Sequence, residues 1–319
     1  MQNDHTRIGV LLPTGQAQWG GGTDPRGLIT FALRAEELGY DSLFANDSLL
    51  TPRIETLTVL SALAPVTRHA SLGTGALLPF LRRPIQVGHA LASLDLLSGG
   101  RLLVAVGAGF PGRFGRPLYE LSEVPWADRF RRLDETVALW RRLWAAEAPF
   151  SFHGELHHFD DIPPSVRPYT PGGPPVWLGG ATPAALARTG RHYDGWLPYP
   201  PDPADYREGL TVVRDAATAA GRSPDAVTPA LFVSVLVDDD PARARARMDA
   251  YARSTYGLPL DELRTIQAVL TGPAPEVAAG LRRYLDAGAR HLVLRLGGRT
   301  LTEQSEQLER MADMRPALG

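Results

Sequence analysis

The sequence predicts an α/β chain folded as a closed (β/α)8 TIM barrel, and three observations carry that expectation. Eight short runs rich in leucine or β-branched residues recur along the 319 residues, each followed by a small-residue stop and then by apolar positions at helical spacing. The runs are apolar on both faces, as strands of a buried parallel sheet must be. Hydrophobic residues make up 44% of the chain, enough for one large core, so the expectation is a single domain over 1–319.

The first strand is read at 8–12, and its helix opens near Asp24-Pro25, carries Leu28, Phe31, Ala32, Ala35 and Leu38 on one face, and stops at Gly39. Strand 42–45 leads to helix 55–64, strand 71–78 to helix 84–97, and strand 102–107 to helix 126–144. Strand 176–179 leads to helix 183–190, strand 194–197 to helix 205–220, strand 228–237 to helix 241–256, and strand 291–296 to a last helix at 302–314. Three stretches exceed a minimal barrel: 108–125 after strand four, 145–174 preceding strand five, and 257–275 after strand seven. The second carries a hairpin pattern from Phe150 to Phe159. Insertions of this kind are expected to be lids or walls of a barrel's active face.

A net charge of −2 gives no basic field for nucleic acid or anionic lipid, so the expected partner is a small molecule. The absence of cysteine excludes disulfides, thiolate-bound zinc and a cysteine nucleophile. The opening residues 1–7 are polar, and no apolar run approaches membrane-spanning length, from which a cytoplasmic protein is expected.

Candidate site residues cluster where predicted strands end. Gly179-Gly180-Ala181-Thr182-Pro183 reads as a glycine pair followed by a helix with Thr182 as cap and Pro183 at its first position, which forms a seat for an anion. Gly297-Gly298-Arg299-Thr300, after the eighth strand, is a close rival. Asp47 and Ser48, released after the second strand, are the candidate catalytic pair, although either could simply cap a loop. Two glycines in Gly73-Thr74-Gly75-Ala76 imply a bulge in the third strand. Gly107-Ala108-Gly109-Phe110-Pro111-Gly112 matches a dinucleotide fingerprint, but Pro111 bars an immediate helix; Gly107 instead leaves room for a flat ring. His153 and His157 lie on a hairpin pattern without a third ligand, so no metal site is expected. His89 is read as a packed or capping group, and Asp95 with Arg101 as a structural pair.

Taken in order, Glu37-Leu38-Gly39-Tyr40-Asp41, Leu72-Gly73-Thr74-Gly75, Asp95-Leu96-Leu97-Ser98-Gly99-Gly100-Arg101, Val106-Gly107-Ala108-Gly109, Trp177-Leu178-Gly179-Gly180 and Tyr193-Asp194-Gly195-Trp196 resemble the luciferase-like flavin oxidoreductases. The resemblance covers nearly the whole chain. It implies reduced FMN or the deazaflavin coenzyme F420 as cofactor, with the phosphate at Gly179, Gly180, Ala181 and Thr182. It places the ring against Gly75, Ala76 and Gly107, with a non-prolyl cis peptide at Gly75–Ala76. Asp47-Ser48 stands where many members carry an acidic residue followed by histidine. The resemblance implies first a monooxygenase using reduced FMN from a flavin reductase and O2 on a small organic substrate. Its alternative is hydride transfer with F420, and a non-catalytic flavin-binding protein is third. Relatives commonly pair through barrel helices, which implies a homodimer.

Overall fold

The structure, a computed structural model, describes residues 6–19, 24–109 and 115–318. All eight expected strands are present, each within one residue of its predicted limits: β1 (Arg7–Leu11), β2 (Ser42–Ala45), β3 (Ser71–Leu77), β4 (Leu102–Val106), β7 (Val176–Leu178), β8 (Gly195–Trp196), β9 (Thr228–Val237) and β11 (His291–Leu296). Strand order is β11-β1-β2-β3-β4-β7-β8, and β9 pairs with both β8 and β11, which closes the sheet into the (β/α)8 barrel. Strand β1 pairs in parallel with β2 and β11, β3 with β4, and β9 with β8 and β11. The following helices are α1 (Gly27–Glu37), α2 (Thr56–Leu63), α3 (Pro84–Ser98), α5 (Arg129–Ala145), α6 (Pro183–His192), α7 (Pro203–Ala219), α8 (Pro241–Tyr256) and α11 (Leu301–Met314).

The chain packs as two compact units, one of residues up to Phe44 together with Leu178 onward, the other of Ala45–Trp177. In the first, the 257–275 stretch supplies the short helix α9 (Leu260–Leu263) and strand β10 (Val269–Gly272), the latter paired in parallel with the end of β9. Helix α10 (Ala274–Asp286) follows, an element that the strand-by-strand reading leaves unassigned. Gly280 in its middle weakens the helical signal, but a Cβ there would lie 2.7 Å from the Leu270 side chain, so glycine permits the close approach.

In the second unit, α3 lies against α5. The indole nitrogens of Trp140 and Trp144 donate to the carbonyls of Pro84 (2.8 Å) and Gly88 (2.9 Å). The expected hairpin is antiparallel β5 (Phe150–His153) with β6 (His158–Ile162). Its Phe152 and Ile162 pack on Leu139 and Leu143 of α5. Glu135 clamps its tip, accepting from the amides of Glu155 (2.9 Å), Leu156 (3.0 Å) and His157 (3.1 Å). Of the 108–125 stretch, residues 110–114 lie outside the described part, and 116–121 form helix α4 (Arg116–Leu121).

Two sequence readings change here. Asp95 and Arg101 do not pair with each other: Asp95 accepts from the Thr170 amide (2.7 Å) and hydroxyl (3.2 Å). Arg101 donates to the carbonyls of Ala64, Thr67, Ala70 and Ser98, so its planar fork ties the turns before β3 and β4 together. His89 is neither packed nor a cap; it is exposed on α3, with Nδ1 2.9 Å from the Ser165 hydroxyl.

Candidate active site

The glycine pair and helix opening at 179–182 take the form that the residue pattern predicts. Gly180 has φ +98°, and a Cβ there would meet nothing closer than the Ala185 methyl at 3.6 Å. Positive φ favours glycine here, and the space beside it is open. Thr182 caps α6, its hydroxyl accepting from the Ala185 amide at 3.3 Å, and Pro183 occupies the first turn. Ala181 and Thr182 are exposed, and their amides have no acceptor among the described residues. Behind them Trp196 donates from its indole nitrogen to the Gly180 carbonyl (2.9 Å), and Tyr206 of α7 stacks on Trp196 with ring centroids 4.9 Å apart. Packing of α7 thus fixes the loop that opens α6.

The rival seat is chemically different. At α11, the cap Thr300 accepts from the Glu303 amide (3.2 Å), and the Glu303 carboxylate reaches back to accept from the amide of Arg299, just before the cap (2.6 Å). A carboxylate of the chain already fills the anion position there, whereas the first turn of α6 has no acidic residue. Electrostatics therefore favour a bound anion at α6.

In the other unit the third strand carries the expected irregularity. Its register with β4 steps from Thr74 opposite Val104 to Leu77 opposite Val106, so Gly75 and Ala76 together oppose Ala105. The Gly75–Ala76 peptide bond is cis. The Thr74 hydroxyl donates to the Ala105 carbonyl (2.7 Å), filling the gap in the ladder. Gly107 lies beside this bulge: a Cβ on it would reach the Ala76 methyl at 3.7 Å, an ordinary contact. The packing of the described residues does not by itself demand glycine at 107.

The structure places Asp47 differently from a free catalytic acid. Its nearly buried carboxylate, 4% exposed, accepts from the Leu78 amide (3.0 Å) and from both terminal nitrogens of Arg82 (2.6 and 3.1 Å). Arg82 also pairs with Glu55, which caps α2 by accepting from the Thr58 amide (2.6 Å). Burial disfavours the Arg82 charge, yet its two carboxylate partners outweigh burial and raise its pKa. Burial likewise pushes the Glu55 carboxyl up, and its bonds to Arg82 and Thr58 bring it below the ordinary value. Asp47 therefore ties the end of β3 to the start of the following turn. Ser48 accepts from the Leu50 amide (3.2 Å), the loop-capping arrangement its type allows, and keeps its hydroxyl proton to donate. Arg82 and Glu55 were not singled out from the sequence, although two adjacent arginines after a strand end are a readable signal.

Asp47, Ser48, Gly75, Ala76 and Gly107 thus belong to one unit, and Gly179, Gly180, Ala181 and Thr182 to the other. Among the described residues no cluster of histidine and acidic side chains could hold a metal, and no helix is long and apolar enough to cross a membrane.

A family model described as luciferase-like monooxygenase matches residues 6–312. The chain belongs to this luciferase-like family. Among curated relatives, an F420-dependent glucose-6-phosphate dehydrogenase of Nakamurella multipartita is 32% identical over 310 residues, covering 86% of this chain and 87% of its own. Another of that description, from Amycolatopsis mediterranei, is 29% identical and covers 89% and 93% of the two chains. Among solved structures, an F420-dependent secondary alcohol dehydrogenase in complex with an F420-acetone adduct superposes with a TM-score of 0.84 at 20% identity, covering 99% of both chains. That likeness shows the luciferase-like barrel fold. As a member of this family with F420-dependent dehydrogenase relatives, the chain is an oxidoreductase.

Proposed function

We propose that the chain is an F420-dependent oxidoreductase that transfers a hydride between the deazaflavin and a small organic substrate. The observation that carries this reading is the series of curated relatives named as F420-dependent glucose-6-phosphate dehydrogenases, each aligned over most of the chain. They favour the second of the two cofactor expectations over reduced FMN. The chain's own residues fit such a cofactor. The α6 opening offers exposed amides and a helix dipole to a phosphate, and glycine at 107, which the packing does not require, leaves room for a flat ring beside Ala76.

The deazaflavin, when bound, supplies the centre that accepts or gives a hydride. The protein supplies binding, orientation and shelter from water. Gly180, Ala181 and Thr182 hold the phosphate, Asp47 keeps the β3 end in place through Leu78 and Arg82, and Ser48 offers a hydroxyl donor. Serine does not act as a base near neutral pH without an activating partner, so the Ser48 hydroxyl positions a group rather than abstracting a proton. As the active unit we propose a pair of identical chains.

Anaerobic titration with F420 and with reduced FMN, in parallel, tests the reading. F420 should bind saturably, and its absorbance should change on adding a reducing substrate such as glucose 6-phosphate or a secondary alcohol. Binding of reduced FMN with oxygen consumption, and no binding of F420, would sink it and restore the monooxygenase reading with its flavin reductase.

A further inference from the structure

A cavity of about 500 Å³ opens in the Ala45–Trp177 unit between the start of α3, helix α4, the start of α5 and the hairpin tip, with Gly107 and Ala108 at one side. Its lining is unusual in charge. Four arginines and a histidine face it against a single acid, Glu123. Arg82 is neutralised by Asp47 and Glu55, but Arg129 and Arg132 have no carboxylate partner among the described residues. The Nε atom of each is buried and lacks a hydrogen-bond acceptor among the described residues. Buried donors of this kind are rare and costly to leave unsatisfied.

The Arg129 side chain is held in place without being neutralised. The Arg129 guanidinium lies 4.1 Å from the centroid of the Trp126 ring and 4.3 Å from that of Phe130, contacts that fix its plane and leave its positive charge. Arg132 rises from the next turn of α5, opposite the hairpin wall. There the Thr136 hydroxyl donates to the Arg132 carbonyl (2.8 Å), so it must accept from His157 Nε2 (3.1 Å). The proton of His157 is thus assigned to Nε2, and burial, then the charge of Arg132, lowers its pKa. The opposite wall is rigid: Phe80 stacks on Tyr119, whose hydroxyl donates to the Ala108 carbonyl (3.0 Å).

We propose that this cavity is an anion-recognition pocket, and that its ligand is an organic molecule whose phosphate or carboxylate is received by the guanidinium groups of Arg129 and Arg132. Planar guanidinium forks match such oxyanions in two-point contacts, and an arginine already fixed between two rings, as Arg129 is, loses little freedom on binding. Two sources share this chemistry, an acidic substrate and the acidic portion of the cofactor. The identity of the cofactor rests on the proposed function; the anion site does not.

Calorimetry at low ionic strength, with inorganic phosphate as the probe, tests the site on the full chain. A Gly180→Val background weakens the α6 seat, so phosphate binding that survives in it and is lost with the two arginines belongs to the cavity. Phosphate should bind saturably there, and Arg129→Gln with Arg132→Gln should weaken it at least tenfold, while Arg116→Gln on α4 leaves it unchanged. No saturable binding, or equal affinity in a folded double variant, would overturn the proposal. The source is read separately in the chain with its native Gly180. A tenfold rise in the Kd of F420 in the double variant assigns the cavity to the cofactor, and a rise in KM for glucose 6-phosphate at unchanged F420 affinity assigns it to the substrate. In a chain that binds F420 and turns over, no change in either would also overturn the proposal. A chain that binds phosphate in the cavity but never binds F420 would refute the cofactor reading and leave the anion site standing.

Discussion

The Asp47 carboxylate accepts from both terminal nitrogens of Arg82 and from the Leu78 amide, which fixes the end of β3. The place of Asp47 after the second strand was visible in the sequence, because a polar residue at the end of a barrel strand is a standard signal of function. Its partner was not, since Arg82 lies 35 positions away and long-range pairing leaves no local trace. With Asp47 4% and Arg82 19% exposed, removing the carboxylate leaves a largely buried guanidinium with Glu55 as its remaining acid and the Leu78 amide without its acceptor. Asp47→Ala is therefore expected to lower unfolding stability by about 3 kcal/mol in urea titration. Asp47→Asn, which keeps an acceptor for the Leu78 amide, should lose less. If Asp47→Ala unfolds at the wild-type urea midpoint while turnover collapses, the carboxylate acts on substrate and not on the β3 end.

At the scale of elements, the two candidate anion seats separate only when their helix openings are seen. Both follow a strand, both contain two glycines, and both are capped by threonine, so the residue pattern left them nearly equal. What divides them is Glu303, three positions into α11, whose carboxylate takes the Arg299 amide. That residue was in plain sight in a Thr-x-x-Glu pattern. Gly180→Val should weaken cofactor binding at least tenfold, about 1.4 kcal/mol, because a β-branched residue resists φ +98° and crowds the open side. Unchanged affinity in a folded variant would move the phosphate elsewhere. The strands and most helices were legible because buried parallel strands are continuous apolar runs and amphipathic helices repeat at 3.6 residues. Helix α10 was not, since Gly280 interrupts its signal. Nor were Arg129 and Arg132, because a charge run on a helix reads as a solvated face until the facing hairpin is placed.

For the whole molecule, the distribution of exposed charge argues for a second copy of the chain. The outward positions of α7 include Asp205, Arg207, Glu208, Arg214 and Asp215, and those of α8 include Arg243 and Arg245, as helices facing water should. Helices α2 and α3 differ. Their outward positions are Thr58, Ser61 and Ala62 on one, and Gln86, His89, Ala90, Leu96 and Leu97 on the other, with no charge among them. Leu97 is 67% exposed and Leu96 49%. Depletion of charge marks the centre of a protein interface, and a face that meets itself across a two-fold axis needs no partner of opposite sign. A stable dimer needs about 800 Å² from each chain, which two neighbouring helices can supply. Light scattering on a sizing column should give twice the 34.6 kDa chain mass at micromolar concentration. Ala62→Arg and Ala90→Arg, each placing a cation against its own counterpart or an apolar wall, should shift the protein toward monomer without loss of helix content. A wild-type monomer at tens of micromolar, or a dimer indifferent to both substitutions, would show that these faces meet something else.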